Sequence, residues 1–210
     1  AHFIVLDSYW PEESDTIGPR QREWLANDLA SFAARHGGEG SESLQAHPIF
    51  VFLHSPLWRN STAPEAPDAE RESRRVWDEE IHPLLCRYPV RLVVAGHTHE
   101  YVWENRDGID YVVIVSTGTT SRARERTGAF VQFLHVDVAG GEVHPAVICA
   151  GSVLPIDTVD SRDRDLHGPV SIGSQTIRIP NPVGGPVDEQ ITVSLSNSLP
   201  HARRYEMDWR

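Results

Sequence analysis

Val90-Arg91-Leu92-Val93-Val94-Ala95-Gly96-His97-Thr98-His99 is a short apolar run closed by a glycine and two histidines. Its length and branched side chains read as a strand buried on both faces. Upstream, Pro48-Ile49-Phe50-Val51-Phe52-Leu53 ends on His54, followed by Ser55-Pro56, and follows the same plan. A buried strand that ends in histidine sets an imidazole at the carboxyl edge of a sheet, where open α/β folds bind ligands. Imidazole is also the commonest protein ligand for transition metals. Gly96 permits a tight turn at the strand end, and the i, i+2 spacing lets His97 and His99 reach one cleft from an irregular backbone. The competing reading is a pair of surface histidines in a connecting loop. His54, in the same strand-terminal position, favours a metal centre built from His54, His97 and His99. The other histidines, His82 among them, read as structural or solvated.

Working outward, residues 2–7 read as a further strand. A helix is expected over 19–35, with Pro19 in its first turn and Leu25, Leu29 and Phe32 at i, i+4 and i+7 on one face. Gly37-Gly38 stops it, and a polar loop runs to Ala46. A second helix is expected over 68–88, with Trp77, Ile81, Leu84 and Leu85 as its buried face. It should kink or break at Pro83, which lacks a backbone donor. After the histidine pair the pattern turns antiparallel. Residues 101–103 and 111–115 form a hairpin about Asp107-Gly108, and residues 130–138 and 143–148 form another about Gly140-Gly141. The order βαβαβ followed by antiparallel strands means an α/β fold with a mixed sheet and helices on one side. Residues 1–150 then form one domain. Residues 151–210 are a Pro-, Gly- and Asp-rich linker and the start of a small β-sandwich-like module, with strands over 190–195 and from 205 to 209.

The chain has 210 residues and a formal net charge of −11, and its 19 basic residues are all arginine. Such an acidic chain is poorly suited to binding nucleic acid by neutralising phosphates. No stretch approaches the ~20 apolar residues of a membrane helix, so neither nucleic acid nor membrane is expected as a partner. Cys86 and Cys149 match no disulfide framework or zinc-ribbon spacing and read as small buried apolar residues.

Together, Phe3-Ile4-Val5-Leu6-Asp7-Ser8, Gln21-Arg22-Glu23-Trp24-Leu25, Phe52-Leu53-His54-Ser55-Pro56 and Gly96-His97-Thr98-His99-Glu100-Tyr101 resemble the C-terminal half of a calcineurin-like metallophosphoesterase. The resemblance runs from Phe3 to about Ile148. The histidine pair followed by Tyr101 is similar to purple acid phosphatases. The Leu-Asp-Ser and Gln-x-x-Trp-Leu segments are similar to the cyclic-nucleotide phosphodiesterase branch. The resemblance implies a partial βαββ-sandwich fold and a β-rich C-terminal tail. It also implies hydrolysis of a small phosphate mono- or diester by water activated between two metal ions, whether iron, manganese or zinc. On that pattern His54 and His97 would bind one ion and His99 the other. Members of the family are often exported.

The family's Asp-x-His, Gly-Asp and Gly-Asn-His motifs would precede the Leu-Asp-Ser strand, and only two residues stand before Phe3. The expectation is therefore a fragment that binds at most one ion and is inactive alone, with apolar surface left bare beside residues 2–7 and 49–53. The alternative is a non-catalytic interaction module on a degenerate phosphoesterase fold. Trp58 and Arg59 are candidates for flanking the cleft, with Arg59 pairing to phosphate. Arg122, Arg124 and Arg126 are weaker candidates for an anion-binding rim. Asp157, Asp160, Asp163 and Asp165 lack the glycine and terminal glutamate of a calcium loop. Asn60-Ser61-Thr62 is a glycosylation sequon.

Overall fold

The structure is a computed structural model, and it describes residues 1–8, 16–115, 130–149 and 152–161. The three buried strands form as expected: β1 His2–Leu6, β2 Ile49–Leu53 and β3 Val90–Ala95. They lie side by side and parallel, with Leu6 opposite Leu53 and Phe52 opposite Val94. The chain then runs out to the sheet edge as β4 Val102–Arg106 and returns as β5 Ile109–Val113. The resulting order is β1-β2-β3-β5-β4, with β5 parallel to β3 and only β4 antiparallel. The turn between β4 and β5 places Asp107 at φ 51 and Gly108 at φ 84, as a two-residue hairpin loop requires.

Helix α1, Pro19–Arg35, buries Leu25, Leu29, Phe32 and Ala33. Each fully buried leucine of this kind stabilises the fold by roughly 1.5–3 kcal/mol. Two elements depart from the sequence reading. The polar loop before β2 contains a short helix α2, Glu42–Gln45, whose N-terminus is capped by the Ser41 side chain accepting from the Leu44 N–H. The second long helix is three pieces: α3 Asp68–Val76, a π-helical stretch Trp77–Ile81, and α4 His82–Leu85. The distortion thus begins one turn ahead of Pro83. The proline ring would collide with the carbonyl of residue 79 in a regular α-helix. The wider turn relieves this, and the His82 N–H bonds the Trp77 carbonyl five residues back.

All of these helices pack on one face of the sheet, around Ile4, Leu6, Val51, Leu53, Val93 and Ala95. The other face, carrying Phe50, Leu92, Val94 and Val112, packs on a separate antiparallel sheet. That sheet consists of β6 Gln132–Ala139, β7 Glu142–Cys149 and β8 Ser152–Pro155, in that order. The molecule is therefore α/β, with a helical layer, a mixed sheet and an antiparallel sheet, consistent with a partial phosphoesterase fold. The turn between β6 and β7 needs its glycine. Gly141 has φ 90, and a Cβ there would stand 3.0 Å from the Ala46 backbone.

Residues 152–161 carry more structure than their composition suggested. β8 extends the antiparallel sheet, the Trp103 N–H bonds the Val159 carbonyl at 2.9 Å, and Trp103 bridges to Asp160. The strands expected at 190–195 and 205–209 lie outside the described residues, as do Arg122, Arg124, Arg126, Asp163 and Asp165. The antiparallel sheet covers β2 only in part and leaves β1 bare. Phe50 is 2% exposed, whereas Phe3 and Val5 are 64% and 73% exposed.

Candidate metal centre

Parallel pairing sends the C-terminal ends of β2 and β3 to one edge of the sheet. His54 and Gly96-His97 leave the sheet there side by side, and the Gly96 N–H donates to the His54 carbonyl at 3.0 Å. The loop after β2 is fixed from the other flank. Ser8, just past the end of β1 and 1% exposed, accepts the His54 N–H at 3.1 Å and the Ser55 N–H at 2.8 Å. Ser8 is held in turn through its neighbour. The Gln21 side chain accepts the Asp7 N–H at 2.6 Å and donates to the Asp7 carbonyl at 2.8 Å. Two separate sequence segments, Leu-Asp-Ser and Gln-x-x-Trp-Leu, thus form one bracket for the His54 loop. Ser8 and Gln21 escaped the residue-level reading because their partners are backbone groups, which leave no signature in side-chain spacing.

The histidine pair reaches the edge through unusual backbone. Positive φ falls on His97, at 67°, and on His99, at 56°, and not on Gly96. The Thr98 N–H bonds the Gly96 carbonyl at 2.8 Å. His97 is therefore the centre of a three-residue turn of the rare, strained sense. Histidine enters the left-handed region more readily than most residues, and strained residues of this kind cluster at functional sites. Gly96 was expected to supply the turn, yet the histidines themselves do.

The two imidazoles meet. His54 Nε2 lies 3.1 Å from His97 Nδ1, with ring centroids 5.0 Å apart and planes at 74°. Two nitrogens bound to one ion at ~2.0–2.1 Å stand about 2.9–3.4 Å apart for right-angled to tetrahedral geometry, so this separation fits shared ligation. Both rings are exposed, which gives an ion an open approach. His99, half-buried, leaves the same edge two residues on. The three histidines do not form a group whose ligand atoms all lie within 4.8 Å of one another. Among the described residues that property belongs to His82, Cys86 and Asp107.

Trp58 is corrected by the structure. It is 2% exposed and its ring packs on Trp77 and Tyr111, at centroid distances of 5.5 and 4.9 Å. The short helical turn Leu57–Arg59 points it into the helical layer, so it fills the core and has no face free for a substrate. Arg59, at the end of the same turn, is half-buried. Tyr101 turns away from the edge. It is fully buried, donates to the Ile156 carbonyl and packs at a tilt against Phe130, and burial pushes its hydroxyl well above the usual phenol range. Cys86 is exposed and Cys149 half-buried, so neither is the deeply buried apolar residue expected. Cys86 follows the last turn of α4 and Cys149 ends a strand.

No family model matches the chain. Among proteins of known sequence it is similar to probable purple acid phosphatase 20 of Arabidopsis thaliana. The two are 33% identical over 100 residues, covering 48% of this chain and 20% of that protein. The chain thus spans about a fifth of that relative's length, and the likeness points to a distant metallophosphoesterase-like relationship.

Proposed function

We propose that the carboxyl edge of the sheet is the histidine half of a metal-dependent phosphoesterase centre, in which His54 and His97 share one ion and His99 serves a second. The observation that carries this reading is the 3.1 Å approach of His54 Nε2 to His97 Nδ1 across two neighbouring strand ends. The distant likeness to a purple acid phosphatase supports the same reading at the level of a hydrolase of phosphate esters. When bound, the ions would polarise phosphoryl oxygens and lower the pKa of water. The protein's part is to hold the imidazoles. Ser8 fixes the His54 loop, the γ-turn fixes His97, and the Gly96–His54 hydrogen bond sets their spacing. Iron, manganese and zinc all suit imidazole ligands, and the donor set does not choose among them. The substrate proposed is a small phosphate mono- or diester.

Zinc or manganese binding tests this, measured by titration calorimetry in a Cys86→Ser background so that the site described below does not contribute. The ion shared by His54 and His97 is expected to bind with affinity falling at least tenfold in His54→Ala and in His97→Ala. Ser8→Ala should weaken binding through loss of loop position while leaving both imidazoles in place. Binding indifferent to both histidine substitutions would end the assignment.

A further inference from the structure

We propose a second, independent metal site at the opposite edge of the sheet, in which His82 Nε2, Cys86 Sγ and Asp107 Oδ2 hold one zinc-class divalent cation. The three ligand atoms lie within 4.8 Å of one another. His82 Nε2 stands 3.6 Å from Cys86 Sγ and 2.9 Å from Asp107 Oδ2. A tetrahedral zinc with bonds of ~2.0–2.3 Å separates nitrogen from sulfur by about 3.6 Å and nitrogen from oxygen by about 3.3 Å. The separations are close to ligand spacing before any ion enters, but Sγ also lies 3.9 Å from Nδ1, beside the ring, so the Cys86 side chain must turn to meet an ion on Nε2.

Two different elements supply the ligands. His82 and Cys86 sit four residues apart, so one helical face presents both, and the Cys86 N–H to His82 carbonyl bond at 3.0 Å fixes their relative height. Asp107 comes from the β4–β5 turn, where its φ of 51 turns the chain back toward the helix. That turn precedes β5, which runs parallel to β3. Asp107 therefore lies at the amino edge of the sheet, roughly 20 Å from the His97 edge at ~3.3 Å per residue. The two sites cannot share an ion.

The surroundings have the form that metal ligation uses. His82 is 6% exposed, and its other ring nitrogen, Nδ1, lies 2.7 Å from the hydroxyl of the fully buried Tyr111. A partner on the distal nitrogen fixes ring orientation and tautomer, as it does for most ligating histidines. Without an ion, Nε2–H donates to Asp107 Oδ2 and Nδ1 accepts from the Tyr111 hydroxyl; a cation replaces the Nε2 proton, and the ring then donates from Nδ1 to the Tyr111 oxygen. The other two ligands face water, with Cys86 exposed and the Asp107 side chain 77% exposed. An ion can enter, and a fourth position stays open to solvent. On binding, the thiol proton leaves for solvent and the thiolate takes the metal. Thiolate with imidazole and carboxylate selects zinc or cobalt over magnesium and calcium.

Cobalt titration of the whole chain at neutral pH tests this through the thiolate-to-cobalt charge-transfer band. In a His97→Ala background, which removes the competing carboxyl-edge site, the band should saturate at one equivalent. It should vanish in Cys86→Ser and persist in Cys149→Ser and His97→Ala. Tyr111→Phe, which keeps all three ligands, should retain the band with affinity lowered roughly 10–100-fold. As a check needing no substitution, saturating zinc should slow alkylation of Cys86 at least tenfold. Absence of the band, a band that survives Cys86→Ser, or alkylation unaffected by zinc would each show that His82 and Asp107 form only a structural ion pair.

Discussion

His97 carries two demands in conflict. Its ring must meet His54, and its backbone must hold φ 67. A non-glycine residue in that region costs roughly 1–2 kcal/mol relative to an unstrained one. Glycine adopts the same conformation without the Cβ clash. His97→Gly is therefore expected to raise the unfolding free energy by about 1 kcal/mol, read by urea denaturation at pH 7, while abolishing metal binding at the carboxyl edge. His97→Ala keeps the Cβ and should bring no such gain. A destabilised His97→Gly would mean that the imidazole contact with His54 outweighs the backbone strain. This residue also shows where sequence reading stops. The apolar run, the terminal glycine and the histidine spacing were legible in Val90–His99. Which residue would take the left-handed backbone was not, because that depends on the Thr98–Gly96 hydrogen bond and on the neighbouring strand end.

At the scale of elements, periodicity recovered every strand of the main sheet and helix α1, because their apolar spacing is set by local geometry. It missed α2 and β8, which are four residues each and too short to show a period. It placed the break of the second helix at Pro83, whereas the ladder widens over Trp77–Ile81. That widened turn also makes a connection no pattern reveals. Asp78 accepts from Arg74 Nε at 2.5 Å on its own helix and from Arg106 at 2.7 Å on β4. Arg106 in turn lies over the Tyr111 ring, 5.5 Å from its centroid. Part-burial pushes the Asp78 carboxyl up, but its bonds to Arg74 and Arg106 prevail and hold it below the usual 3.8. The sign follows from linkage: a carboxylate whose folded pKa is depressed adds stability above its unfolded value, and that stability fades as pH falls through the folded one. Asp78→Asn should therefore cost roughly 1 kcal/mol at pH 7, allowing for solvent screening. Thermal unfolding should show the gap between the two proteins closing below about pH 3.8. A gap that stays constant down to pH 2 would assign the loss to packing instead of charge.

At the scale of the whole molecule, the three layers do not close at the β1 side. The helical layer spans the main sheet, but the antiparallel sheet leaves a groove of about 550 Å³ lined by Phe3, Phe50, Phe52, Val94, Phe133 and Leu134. Phe3 stacks against Phe50 and Phe52 at centroid distances of 5.3 and 6.3 Å, yet remains 64% exposed, and Phe133 across the groove is 57% exposed. Bare apolar surface beside residues 2–7 was expected from the sequence. Burial of Phe50 was not, because strand alternation cannot show that β6 and β7 fold back over β2. An open aromatic groove in a well-packed fold has a clear signature. The native chain is expected to bind anilinonaphthalene sulfonate with enhanced fluorescence, a response otherwise typical of loosened states. Two features separate the groove from loosening. Unfolding should remain cooperative, with near-ultraviolet circular dichroism intact at the dye concentration used. Phe3→Ser combined with Phe133→Ser should suppress the fluorescence several-fold while shifting stability little, since side chains this exposed contribute on the order of 0.5 kcal/mol each. Dye binding that persists in the double variant would place the response in a partly unfolded population. No dye binding by the native chain would mean that the groove closes in solution, by approach of the two sheets or by self-association, and a concentration series of the sedimentation coefficient would distinguish these two.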